Sequence, residues 1–129
     1  MKLRNCLLVA ALLCSSVVFA QQVEPSVWRG GNHGVYNESG LLKQWPADGP
    51  QILWSVDQLG EGFSSPVIHN NKIFVSTMIE KTGYIVILSM DGKELKRYAY
   101  GEEYFESYPG ARSTPVLAGD WLYIYSGKG

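Results

Sequence analysis

Ser64-Ser65-Pro66-Val67-Ile68 and Ser113-Thr114-Pro115-Val116-Leu117 are one pattern written twice, offset by 49 positions from residue 64 to residue 113. The same offset, without a gap, sets Ile73-Phe74-Val75 against Leu122-Tyr123-Ile124 and the turn Asn70-Asn71 against Gly119-Asp120. Upstream, Gly49-Pro50-Gln51-Ile52-Leu53-Trp54 aligns with Gly92-Lys93-Glu94-Leu95-Lys96-Arg97, which puts the equivalent of a last strand ahead of the first full unit. A fixed period of this size signals a repeat architecture, and a repeat of four strands is a propeller blade. A β-sandwich also spaces its strands about 8 to 12 residues apart, but it has no reason to restart a Ser-Pro-Val phrase at a fixed offset.

Working outward, residues 51 to 129 are short runs of Val, Ile, Tyr, Phe and Trp divided by Gly, Asn and Asp, with no sustained helical period. The fold class is all-β. Strands are expected at 52–56, 65–69, 72–79, 84–90, 94–100, 114–118 and 121–126. Asn70-Asn71 suits a two-residue hairpin, Lys81-Thr82-Gly83 closes the next, and Asp91-Gly92 is a type I′ signal, so successive strands form an antiparallel meander. Tyr84-Ile85-Val86-Ile87-Leu88 is apolar on both alternating faces and requires cover on both sides of its sheet. Glu94-Leu95-Lys96-Arg97-Tyr98 is half charged, as suits an outermost strand that must resist pairing with other molecules.

The first twenty residues are of another kind. Lys2 and Arg4 precede an apolar run from Leu7 to Leu13, and Val18-Phe19-Ala20 resembles a cleavage site, so residues 1–20 read as a secretory signal peptide. An uncleaved anchor is the competing reading, but the run is short for a span and no second hydrophobic segment follows. Cys14 follows Leu13 rather than a small residue, against a lipid attachment site. The protein is thus expected to be exported, periplasmic or secreted from a bacterium, with no stable membrane span after cleavage. Cys6 and Cys14 both lie in the signal, which leaves the mature chain no disulfide, Cys-ligated zinc or cysteine nucleophile. Removing Lys2 and Arg4 from the eleven basic residues leaves nine against twelve acidic ones, a net charge of about −3, with no basic field for nucleic acid or an anionic membrane.

Trp28-Arg29-Gly30-Gly31, Gly34, Gly40-Leu41-Leu42-Lys43-Gln44-Trp45-Pro46, Gly49-Pro50, Ile52-Leu53-Trp54, Gly60-Glu61-Gly62-Phe63-Ser64-Ser65-Pro66-Val67 and Gly110-Ala111-Arg112-Ser113-Thr114-Pro115-Val116 together resemble the exported PQQ-like β-propeller repeat proteins. These are relatives of the quinoprotein alcohol dehydrogenases and of the propeller subunit of the outer-membrane protein assembly machine. The resemblance runs from Trp28 to Gly129. It implies an N-terminal extended segment at 21–47 and a partial propeller at 48–129, with one complete blade at about 64–100, a truncated second blade and an incomplete ring. Closing a ring of six to eight such blades takes roughly 300 to 400 residues, so an N-terminal fragment is expected. In that family the repeat ends in a tryptophan that docks between blades; Trp54 fits that place, and its counterpart in the complete blade is Arg97.

The resemblance implies two activities. One is a non-catalytic exported module that binds a protein or a small-molecule ligand on its loop face. The alternative is the N-terminal part of a PQQ-dependent alcohol or sugar dehydrogenase, which would carry pyrroloquinoline quinone and calcium; the cysteine pair of the alcohol-oxidising branch is missing here. The first is preferred, because the fold hosts unrelated functions and these residues show no catalytic, cofactor-binding or metal-ligating set.

In a propeller the connections leading into each first strand share a face, where ligands usually bind. Those connections are 57–64 and 101–113, and the candidate rim residues on them are Glu61, Tyr104, Tyr108 and Arg112. Arg112 offers a planar fork to a carboxylate or phosphate, or pairs with a nearby glutamate and fixes the strand start. His69 abuts a turn and is expected in solvent, and His33 is expected to order the glycine-rich tail. Asp48, Asp57 and Asp91 each have turn-forming explanations, Gly60-x-Gly62 lacks the strand-to-helix setting of a nucleotide loop, and Asn37-Glu38-Ser39 matches a glycosylation sequon. Mass spectrometry of exported protein should find Gln21, free or cyclised, at the N-terminus; a retained Met1 on membrane-bound material would overturn the signal reading.

Overall fold

The computed structural model describes residues 24–31 and 34–129, so the signal peptide and His33 lie outside the described residues. The described chain is all-β, with six strands: β1 (Val67–His69), β2 (Lys72–Ile79), β3 (Thr82–Ser89), β4 (Glu94–Glu102), β5 (Val116–Ala118) and β6 (Trp121–Tyr123). The first four form an antiparallel meander in the order β1-β2-β3-β4, and β5 and β6 form a separate hairpin. Among the described residues no helix is long and apolar enough to cross a membrane.

The hairpins follow from turn chemistry. Asn70 and Asn71 both take positive φ, and His69 pairs with Lys72 across them. Asparagine tolerates that region and its twist suits a two-residue connection. The next turn differs from expectation: Ile79 pairs with Thr82, so Glu80 and Lys81 turn the chain while Thr82 and Gly83 belong to β3. At Asp91-Gly92 the expected type I′ geometry is also absent, since only Gly92 is left-handed there (φ 84°) and its N–H reaches the Ser89 carbonyl at 3.0 Å. Ser89 Oγ donates to the Asp91 carboxylate and Ser89 N–H to the Lys93 carbonyl, which closes a wider loop. That hydroxyl bond is the first cause holding the Asp91 carboxyl below its usual range.

β3 is covered on both faces. On one side Val67, Phe74 and Ile85 pack with Leu117 of β5, joined by Leu122 and Ile124. On the other, Ile73, Val86 and Leu88 pack under Val56 and Leu59. Val86 is wholly buried. The strand expected at 52–56 does not form: no segment of the described chain pairs with it, and Ile52 and Leu53 are exposed. The segment still reaches the sheet. A Cβ on Gly92 would lie 2.7 Å from Trp54 Cε3 and 2.9 Å from Val56 Cγ2, so the indole rests on a turn that only glycine can form without displacing it.

β4 is the outer edge of its sheet and is largely exposed. Arg97, the counterpart of Trp54 in the sequence alignment of the two segments, grips Glu94 with two nitrogens at 3.0 and 2.7 Å and the Leu59 carbonyl with the third at 3.1 Å. The guanidinium bonds lower the Glu94 carboxyl from its ordinary value, and Glu94 in turn raises Arg97. Ile85→Ala should lower the urea unfolding stability by about 2–5 kcal/mol, because Ile85 belongs to the cluster that joins the two sheets. Ile52→Ala, at a position 80% exposed, should stay within about 0.5 kcal/mol.

Candidate functional site

The two connections expected to share a face meet along one seam. Glu61 N–H and carbonyl exchange bonds with Met78 at 2.8 Å each, which adds a residue of the first connection to the edge of β2. Gly62 then bridges Ala111 in parallel, with Phe63 N–H on the Ala111 carbonyl at 2.7 Å and Ala111 N–H on the Glu61 carbonyl at 3.3 Å. The backbones pass so closely that a Cβ on Gly110 would sit 2.9 Å from Gly62 N, and Gly110 also has φ 130°. Glycine at that crossing is a packing requirement.

A hydroxyl chain ties the seam to the sheets. Ser64 Oγ donates to the Ser76 carbonyl at 2.8 Å, Ser76 Oγ donates to the Ser113 carbonyl, and Tyr125 N–H donates to Ser113 Oγ at 3.3 Å. Ser65 N–H donates to Thr114 Oγ1 at 3.1 Å across 49 positions. Ser76 and Thr77 are buried at 1% exposure, and Thr77 Oγ1 donates to the Glu61 carbonyl. The polar pair Ser76-Thr77 inside an otherwise apolar strand was the available sequence signal for these buried bonds.

The N-terminal segment closes one end of the seam. Ser26 exchanges N–H and carbonyl bonds with Leu117 at 2.8 and 3.0 Å, and its hydroxyl lies 3.0 Å from His69 Nδ1. His69 is therefore partly buried and edge-on to Phe74 at 6.5 Å, not solvated as expected. A strand neighbour and an aromatic ring, neither evident from the adjacent turn, enclose it. Its Nε2 is buried with no hydrogen-bond partner among the described residues. Two residues on, Trp28 is exposed, with the Arg29 guanidinium over its ring at 5.4 Å.

Of the four candidate rim residues, three come together. Arg112 Nη2 donates to the carbonyls of Ser107 at 3.1 Å and Tyr108 at 2.6 Å, and its guanidinium lies 5.5 Å from the Tyr104 ring centroid. The glutamate partner considered for Arg112 is replaced by these carbonyls, because the loop folds back on itself at Tyr108, which has positive φ. The Tyr108 ring is exposed. Glu61 joins through its backbone, beside Ala111, while its side chain faces solvent. Arg112 also lines a cleft of about 390 Å³ with Trp28, Phe63, Ser65 and Thr114. Trp28 and Phe63 belong to the motifs that carry the resemblance but are not among the candidate rim residues, since nothing local in the sequence places them beside Arg112.

The second connection also contains a buried acid. Glu103, 1% exposed, accepts from the Tyr100 hydroxyl on one oxygen and from Gly127 N–H at 2.7 Å on the other. It holds the residues after β6 against the end of β4. Burial, then the bond and charge of Glu103, push the Tyr100 hydroxyl well above its ordinary value. Lys81 and Lys128 both lie over the Phe105 ring nearby, at 4.3 and 4.9 Å.

Quinone and calcium chemistry would need an oxygen-rich ligand set, because calcium takes about six to eight oxygens, carboxylates among them. Among the described residues no group of three or more His, Cys, Asp or Glu could hold a metal ion, and no carboxylate lines the Arg112 cleft. These residues do not fit that group. No protein-family model matches the chain, and neither a curated protein nor a solved structure matches it.

The tyrosine bond has a pH signature. A hydroxyl whose pKa is raised by folding contributes stability that is complete below the unfolded value near 10 and is lost as pH rises toward the folded value. Thermal unfolding should therefore show an alkaline loss of stability above pH 10 that shrinks in Tyr100→Phe. The variant should also cost about 1.5–3 kcal/mol near neutral pH, because the buried Glu103 carboxylate loses a donor.

Proposed function

We propose that this chain is part of an exported β-propeller of the PQQ-like repeat kind, which binds a protein or a ligand along its loop seam and catalyses no reaction there. The observation that carries the reading is that equal positions of the two repeats touch each other. Gly62 bridges Ala111 and Ser65 bonds Thr114, each pair separated by the repeat offset of 49. When similar sheets are arranged around one axis, equivalent residues nearest that axis become neighbours at every junction. Two sheets facing each other in a sandwich have no such rule.

The four-stranded meander supplies one blade and the β5-β6 hairpin the opening of another, packed on the face that β3 needs covered. Trp54 on the Gly92 turn fits the tryptophan that docks between repeats, and Arg97 does the corresponding work with polar bonds. Binding belongs to the seam because loops held by rigid sheets can present side chains without disturbing the core. Export rests on the leader-like start and on the absence of cysteine after residue 20.

The mature chain has no thiol of its own, so paired cysteines report the junction directly. Ser65→Cys with Thr114→Cys should cross-link under mild oxidation or with a short bifunctional thiol reagent, giving a faster-migrating band under non-reducing conditions. Failure to cross-link in folded protein would overturn the repeat arrangement, and quinone-dependent dye reduction would overturn the non-catalytic part.

A further inference from the structure

We propose that the cleft between Trp28, Phe63, Ser65, Thr114 and Arg112 takes a carboxylate joined to an apolar group, as presented by the C-terminus of a peptide that ends in an apolar residue. This rests on reading the seam as a binding surface and names what that surface would hold. The cleft's volume, about 390 Å³, suits a terminal residue with its carboxylate. Its walls are aromatic and unusually bare, Trp28 at 59% and Phe63 at 64% exposure. Its polar groups are cationic or hydroxyl, without a carboxylate among the lining residues.

The hydrogen-bonding inventory favours an anion. Arg112 spends Nη2 on two loop carbonyls, which hold the side chain in place, while Nε and Nη1 have no hydrogen-bond partner among the described residues. Thr114 Oγ1 accepts from Ser65 N–H and keeps its own proton to donate, and Ser65 Oγ has no hydrogen-bond partner among the described residues. A guanidinium edge with two hydroxyls matches the two oxygens of one carboxylate. A phosphate dianion would call for more positive charge than this. Arg29, 5.4 Å from the Trp28 ring centroid, adds a second cation beside that wall in a chain whose net charge after residue 20 is about −3. The aromatic walls in turn favour an apolar group next to the acid, and the hydroxyl oxygens can accept from a peptide N–H.

Repeat geometry explains why the cleft exists where it does. Phe63 and Arg112 are equivalent positions of the two repeats, as are Ser65 and Thr114, so the lining is one pair of positions presented twice, with Trp28 brought alongside by the Ser26 bridge. At the first of these positions one repeat carries an apolar ring and the other a cation. That asymmetry supplies both halves of the ligand's chemistry.

The test is calorimetric titration of the full chain with N-acetyl-Gly-Gly-Phe as the free acid, with its C-terminal amide, and with phenylacetate. The acid should bind, the amide roughly tenfold or more weaker, and phenylacetate more weakly than the peptide acid. Arg112→Lys keeps the charge but loses the fork, and with Arg112→Ala it should narrow the acid-to-amide ratio toward one. Phe63→Ala should weaken acid and amide together and keep their ratio. Equal binding of acid and amide, or no heat from either, overturns the inference; phenylacetate binding as tightly as the peptide acid overturns the peptide source in favour of a small apolar acid. If the 65–114 cross-link forms and the peptide acid does not bind, this inference fails while the repeat reading stands; binding without the cross-link has the reverse meaning.

Discussion

A strand with apolar side chains on both faces cannot stand in a sheet that meets water on one side, and β3 is such a strand. Each of its faces removes apolar surface from water only if another part of the chain lies across it, at about 25 cal/mol per Å² buried. Leu117, Leu122 and Ile124 meet that demand on one face and Val56 and Leu59 on the other. Much of the remaining architecture serves these two covers. The seam of Glu61, Gly62 and Ala111 joins the segment that follows Val56 and Leu59 to the one that leads into β5, and the Trp54 ring on Gly92 fixes the approach of the first.

Three charged groups are spent on holding the backbone in place. Arg97 spans Glu94 and a neighbouring carbonyl at an otherwise exposed edge, Arg112 ties its own loop, and Glu103 holds the segment after β6 to the end of β4. Two of these are surface arrangements worth little individually. Glu103 is different, because a carboxylate taken fully out of water needs every donor it has. Its two donors, the Tyr100 hydroxyl and Gly127 N–H, lie 27 residues apart in the chain, so it ties the residues after β6 to the end of β4.

Legibility in the sequence followed the range of the interaction. β2 matches its expected span residue for residue, and the Asn70-Asn71 turn has the conformation that asparagine favours, because both depend on near neighbours. Gly83 invited a turn and lies in a strand instead, since the Tyr100 ring lies across it, a fact of cross-strand position. The 52–56 segment has a strand's composition and no strand beside it, and composition cannot supply a ladder partner. For the site, the two connections singled out in the sequence meet through the Gly62–Ala111 bridge, while the Glu61 side chain does not line the Arg112 cleft. Trp28, Ser26 and the enclosure of His69 depend on a bridge between distant parts of the chain, for which the residue pattern offers no local cue.

The Ser26–Leu117 bridge bears on the order in which the molecule assembles. β1 to β4 are joined by short turns and can form from nearest neighbours alone, whereas Ser26 has no partner until β5 has been made and positioned. Closing that contact spans almost the whole described chain, and such loops are entropically the slowest to shut. During directional synthesis or threading, the residues that emerge first are thus the last to be secured. Until then the edge of β5 stays open and the wall contributed by Trp28 is missing, so the cleft is not complete before that contact closes.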